Sequence, residues 1–149
     1  MSTEKKTHPG SCHCKAITYT VNIALPKQPE ATRCNCTVCH KMGVATLSVA
    51  ESDFKLLTPS STSDAQVGDY VWRNKKCHRY FCKSCGVQVW STGAYELEGK
   101  THEFFIVNAL TLEPSDEIDL SKWKIKYFNG AEDAWFDGTK DVPHKGGCV

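Results

Sequence analysis

Apolar and polar residues alternate over short stretches of this chain, and little of it has a helical period. Residues 16–23 (AITYTVNI) alternate well and predict a strand that Pro26 and Pro29 close. Residues 43–50 (GVATLSVA) predict a second strand. Residues 51–57 read as one short helical turn capped near Ser52, and 59–63 (PSSTS) as loop. Tyr70-Val71-Trp72-Arg73 begins a strand that runs toward Tyr80 and Phe81, with Asn74-Lys75-Lys76 as a hairpin tip or solvated edge. Cys82-Lys83-Ser84-Cys85-Gly86 is a turn in which Gly86 supplies positive φ, and residues 87–91 pair back as the next strand. Residues 102–111 (HEFFIVNALT) form the most apolar β-type run and are expected to be central. Residues 122–128 (KWKIKYF) alternate as a final strand, and beyond Gly130 the chain turns polar and irregular. No repeat or linker divides it. The pattern predicts a mostly β fold, with one domain over residues 8–135 and a polar, irregular tail over 136–149.

Composition agrees. A chain of 149 residues, 40% hydrophobic and 23% charged, can bury a real core. The formal net charge of +1 argues against a broad nucleic-acid footprint. The first ten residues are polar and do not resemble a secretory signal, and no run approaches membrane-spanning length. The expected location is therefore a reducing compartment, the cytoplasm or the nucleus, where spaced cysteines read as metal sites rather than disulfides.

Those cysteines carry the chemistry. Eight of nine fall into spaced groups: Cys12-x-Cys14, Cys34-x-Cys36-x-x-Cys39, and Cys77 followed by Cys82-x-x-Cys85. Thiolates one to three residues apart can converge on one ion, and tetrahedral thiolate sets select zinc. Neither Cys12/Cys14 nor Cys82/Cys85 fills a tetrahedron alone, so the four are expected to share one structural zinc tying the N-terminus to the mid-chain hairpin. Cys34, Cys36 and Cys39, read as one tight loop, supply three ligands. Candidates for a fourth are Cys77, His40, His78, water or a substrate thiol. Seven coordinated thiolates with two zinc ions take the formal charge from +1 to about −2.

Zinc held by three thiolates carries a net −1 and is a weak Lewis acid toward water. It suits thiol chemistry better, because it can hold a fourth, exogenous thiol in its ionised, nucleophilic form. Arg33, His40 and Lys41 flank the three-cysteine segment and can offset its charge or meet carboxylates. Trp72, Trp90, Trp123 and Trp135 read as core or rim packing. His8 and His144 fall in the termini, and His13 is expected to point away from the metal its neighbours bind. Cys148, second from the C-terminus, does not fit a prenylation signal and reads as an unligated thiol. No Ser/His/Asp arrangement or phosphate loop stands out.

Three signatures together resemble one family. Gly10-Ser11-Cys12-His13-Cys14-Lys15-Ala16-Ile17, Cys34-Asn35-Cys36-Thr37-Val38-Cys39 and Phe81-Cys82-Lys83-Ser84-Cys85-Gly86 match the glutathione-dependent formaldehyde-activating enzyme family, which includes centromere protein V. Val107-Asn108-Ala109-Leu110-Thr111-Leu112 looks like the family's late strand, so the likeness spans residues 10 to about 112. It implies a β-tent fold of small curved antiparallel sheets with zinc knuckles. It also implies two zincs per chain: a structural one on Cys12, Cys14, Cys82 and Cys85, and a catalytic one on Cys34, Cys36 and Cys39. The family reaction joins glutathione to formaldehyde as S-(hydroxymethyl)glutathione, a carbon–sulfur lyase reaction run in reverse.

The expected function is thus a zinc carbon–sulfur lyase acting on a thiol–aldehyde adduct, with glutathione as small-molecule partner and neither nucleic acid nor membrane. Arg33, Lys41, Arg73 and Arg79 are candidate glutathione contacts on charge alone. The alternative is a non-catalytic interaction module with two structural zincs, the second closed by Cys77. A thiol-redox or metal-buffering role, suggested by the Cys-x-x-Cys spacings and Cys148, is a third reading.

Overall fold

Alternation at 18–23 becomes β2 (Thr18–Ile23), whose inward residues Tyr19 and Val21 are fully buried. A computed structural model describes residues 4–72 and 76–147. Arg73, Asn74, Lys75 and Cys148, all named in the sequence reading, lie outside the described residues. The other strands are β1 (Lys6–Ser11), β3 (Glu30–Cys34), β4 (Thr46–Ser48), β5 (Phe54–Thr58), β6 (Val67–Trp72), β7 (Cys77–Cys82), β8 (Gln88–Leu97), β9 (Lys100–Asn108) and β10 (Lys124–Phe128). The α-helix among the described residues is α1 (Thr37–Met42).

The protein is mostly β. A three-stranded sheet runs β1-β2-β5, and a seven-stranded sheet runs β10-β3-β4-β9-β8-β7-β6. β9, carrying the most apolar run, is the middle strand of the seven, where both of its edges are paired. The large sheet is not wholly antiparallel: β10 lies parallel to β3, placing Phe128 beside Cys34. Aromatic side chains join the sheets. Phe54 of β5 sits 5.0 Å from Tyr19, 5.3 Å from Trp90 and 5.0 Å from Phe105, centroid to centroid. Burial of each such ring is worth about 1.5–3 kcal/mol.

Local expectations change, and two strands, β1 and β3, go beyond what the pattern predicts. Residues 51–57 are not one helical turn: only Glu51–Asp53 form a 3-10 turn, and its cap, Ala50, offers no side-chain oxygen. From Phe54 the chain becomes β5, because Phe54 and Leu56 pack on the core while their backbone pairs with β2. β1 and β3 carry weak apolar signals and owe their strand form to their partners: β1 pairs along its full length with β2, and β3 is held between β10 and β4. The three-cysteine segment is not a simple loop, since it enters α1. Among the described residues, no helix is long and apolar enough to cross a membrane.

Candidate metal centres

The N-terminal pair and the Cys82/Cys85 pair sit on two turns of similar construction. Cys12 follows β1, its backbone N–H donates to the Ile17 carbonyl at 3.0 Å, and Lys15 takes a φ of 62° to close the turn. Cys82 ends β7, its N–H donates to the Val87 carbonyl at 3.0 Å, and Gly86 closes that turn at φ 76°. Backbone geometry of this kind points successive N–H groups at the sulfurs: Ile17 N–H reaches Cys12 Sγ at 3.2 Å. Gln66 Nε2 donates to Cys82 Sγ at 3.2 Å and to Ser84 Oγ at 2.9 Å.

The four sulfurs converge, all within 4.8 Å of one another. Cys12 and Cys14 are 3.7 Å apart, and Cys14 and Cys82 are 3.6 Å apart. A tetrahedral metal with sulfur bonds near 2.3 Å has edges of about 3.8 Å, so the spacing fits a shared ion. The cysteines are free thiols rather than disulfides. Their proton affinities are uneven. Burial pushes the Cys12 thiol up to about 12. Burial also raises Cys85, but the Cys14 and Val87 N–H groups outweigh it and bring that thiol to about 6. A divalent cation would draw every thiol to its thiolate and release the remaining protons.

Cys34, Cys36 and Cys39 form the second group, again with sulfurs within 4.8 Å. Cys34 is the last residue of β3; Cys36 is the N-cap of α1, and Cys39 lies one turn later on the same helix face. The Cys36 N–H points at Cys34 Sγ across 3.4 Å. Thiol hydrogen bonds from Cys36 and Cys39 pull the Cys34 thiol well below its ordinary value, with further help from the Cys36 N–H and the Trp135 indole. The same sharing, first with Cys34, raises Cys36 and Cys39; burial adds to both, and the charge of Arg79 partly offsets the rise at Cys39.

Among the described residues no fourth His, Cys, Asp or Glu joins this triad. Cys77 does not: it stands opposite Gly93 on β8, where a Gly93 Cβ would lie 3.1 Å from its Sγ and 2.4 Å from the Phe104 ring. His78 pairs instead with Asp69 at 2.8 Å and stacks on Tyr80, and His40 lies on the exposed side of α1. His13 is exposed, Lys41 is exposed, and Trp90 and Trp123 are core.

Arg79 is the charged residue that burial singles out. It is 8% exposed and forms no salt bridge with any described residue; its guanidinium makes one long bond, 3.5 Å, to the His78 carbonyl. A buried guanidinium without a carboxylate is costly unless another anion meets it. Sequence reasoning missed Gln66, Gly130 and Asn35, and gave Trp135 only a packing role. Asn35 sits between two of the triad thiols and receives Ala131 N–H at 2.9 Å, while its own amide donates to Asn129 Oδ1 at 2.9 Å.

A family model described as glutathione-dependent formaldehyde-activating enzyme matches residues 7–127. That span includes both thiol groups and Arg79, and stops short of Gly130 and Trp135. The crystal structure of a Rhodobacter sphaeroides protein aligns with a TM-score of 0.58 at 22% identity, covering 80% of this chain and 99% of that one. At that identity, the likeness is one of fold.

Proposed function

Because the chain belongs to the glutathione-dependent formaldehyde-activating enzyme family, we propose that it is a zinc carbon–sulfur lyase that joins a thiol to a small aldehyde, with glutathione and formaldehyde as the pair. The observation that carries this reading is the triad of Cys34, Cys36 and Cys39, which converges without a fourth protein ligand among the described residues. Cys12, Cys14, Cys82 and Cys85 would hold a second, structural zinc. Zinc on the triad would supply positive charge that keeps an exogenous thiol ionised at neutral pH. In the addition, the thiol sulfur forms a bond to the aldehyde carbon, the carbonyl π bond breaks, and its oxygen takes a proton.

The protein's own part is to hold and orient. Cys34 at the end of a paired strand and Cys36 and Cys39 at the start of α1 make a donor set presented by regular, hydrogen-bonded backbone. Arg79 supports the choice of a carboxylate-bearing thiol, since its buried guanidinium has no acidic partner within the described residues. Arg79→Gln is expected to raise KM for glutathione about ten- to a hundredfold at nearly constant kcat, as hydrogen bonds to charged groups contribute about 1.5–3 kcal/mol. A carboxylate-free thiol such as 2-mercaptoethanol should show no such change, and equal losses for both thiols would remove Arg79 from substrate binding.

The direct test is two-dimensional exchange NMR on glutathione mixed with labelled formaldehyde, with and without the two-zinc protein. Catalysis predicts faster exchange between free glutathione and its hydroxymethyl adduct at unchanged equilibrium. Exchange no faster than in buffer, from protein carrying two metal equivalents, would exclude this substrate pair.

A further inference from the structure

Beyond the residues matched by the family model, the chain leaves β10 at Phe128 and turns back over the thiol triad. Cys34 lies beside Phe128 in the parallel β3–β10 pair, so residues 129–137 begin at the triad's edge. Asn35 binds this strap at two points, accepting from Ala131 N–H at 2.9 Å and donating its side-chain amide to Asn129 Oδ1 at 2.9 Å, and it also donates to the Lys145 carbonyl at 3.4 Å in the tail beyond. At the strap's other end, Phe136 meets Tyr95 of β8 with centroids 5.3 Å apart. The strap is therefore fixed on both sides of Trp135.

Between those anchors the strap closes on one sulfur. A Cβ built on Gly130 would lie 2.3 Å from Cys34 Sγ and 2.7 Å from Trp135 Nε1, so both atoms occupy the space a side chain would need. Trp135 belongs to the small cluster of Cys36, Cys39 and Val44, and its indole N–H donates to Cys34. Trp can only donate through this atom. An N–H directed at a metal-bound thiolate withdraws electron density from sulfur and fixes its direction, as outer-shell donors do at metal sites generally.

We propose that Trp135 is a positioning residue for the triad: its indole N–H caps Cys34 Sγ, across the gap that Gly130 leaves open, and keeps that sulfur a metal ligand rather than a nucleophile. A site that handles an electrophilic aldehyde needs this division, with the exogenous thiol reacting and its own thiolates held back. The inference rests on the function proposed above only in assigning a metal to the triad.

The test is Trp135→Phe, which keeps an aromatic ring and removes the donor, in the two-metal protein. Metal should leave the triad for a chelator about ten- to a hundredfold faster, the range typical for loss of an outer-shell partner. Release from the four-thiol site should be unchanged. In the cobalt-substituted protein the sulfur-to-metal charge-transfer band should move to longer wavelength, because an uncapped thiolate is easier to oxidise. Gly130→Ala, which drives a methyl between the sulfur and an intact indole, should reproduce both changes. Unchanged release and an unchanged band in Trp135→Phe would overturn the proposal, as would equal acceleration at both metal sites. A wild-type chain that takes up only one metal equivalent would sink the lyase reading instead. The cap would then be judged by iodoacetamide labelling of Cys34, expected to be faster in Trp135→Phe; an unchanged rate would overturn it.

Discussion

Cys82→Ser should strip the metal from the four-thiol site and cost the domain most of its stability. Cys82 is fully buried at the end of β7, its sulfur lies 3.6 Å from that of Cys14, and Gln66 donates to it. The substitution therefore removes a ligand and also shortens an acceptor of the half-buried Gln66 amide, which donates to Ser84 as well. Metal binding to such a set is folding free energy, about 10–16 kcal/mol for structural zinc in small zinc-finger peptides at neutral pH. Domain stability is only about 5–15 kcal/mol in total. Even a loss of about 4 kcal/mol would lower the melting temperature by roughly 10–15 °C for a chain of this size. Native mass spectrometry should count one metal fewer, and circular dichroism should show the depressed melt or an unfolded chain. A variant melting within a few degrees of wild type would deny the site a structural role. The sequence distance between its two halves explains the size of the effect, since the site joins the turn after β1 to the turn between β7 and β8.

What the sequence disclosed follows from how local each signal is. Cys-x-Cys and Cys-x-x-Cys spacings are set within one turn of backbone, so the two thiol groups could be named before any fold was known, and they converge as expected. β2, the first half of β8 and most of β9 were legible because half-buried or buried strands write their environment into alternation or apolar runs. Residues 92–97 of β8 were not foreseen, and residues 109–111 form a 3-10 turn instead of strand. β1 (KTHPGS) and β3 (EATRC) write almost nothing, because their form is dictated by the neighbours they pair with. Cys77 was a candidate fourth ligand for the three-cysteine group because that group needs one and Cys77 had no pair of its own, yet strand register sets it against Gly93, outside both thiol groups. Trp135 and Gly130 escaped for the converse reason. Nothing local in GAEDAWF announces a sulfur, and only the parallel pairing of β10 with β3 brings that segment to Cys34.

The sharpest contrast with Cys82→Ser is Cys39→Ala, expected to abolish catalysis in a protein that stays folded. Cys39 belongs to a small cluster with Cys36 and Val44, apart from the main core around Tyr19, Phe54 and Trp90. Loss of its sulfur should cost about 1 kcal/mol of packing, a few degrees of melting temperature at most. Chemically the loss is large. Two thiols would not hold an ion that three can, and a reaction that depends on an ionised thiol at neutral pH should fall at least about a thousandfold in kcat/KM, roughly 4 kcal/mol of barrier. Metal content should drop from two equivalents to one, which separates this outcome from general unfolding. Cys77→Ser is the control: its sulfur is outside both thiol groups, so two metals and full exchange activity should survive. Loss of a metal in Cys77→Ser, with Cys39→Ala still active, would reverse the assignment: the triad would then be a closed structural site, and the lyase chemistry would have to be sought elsewhere on the chain.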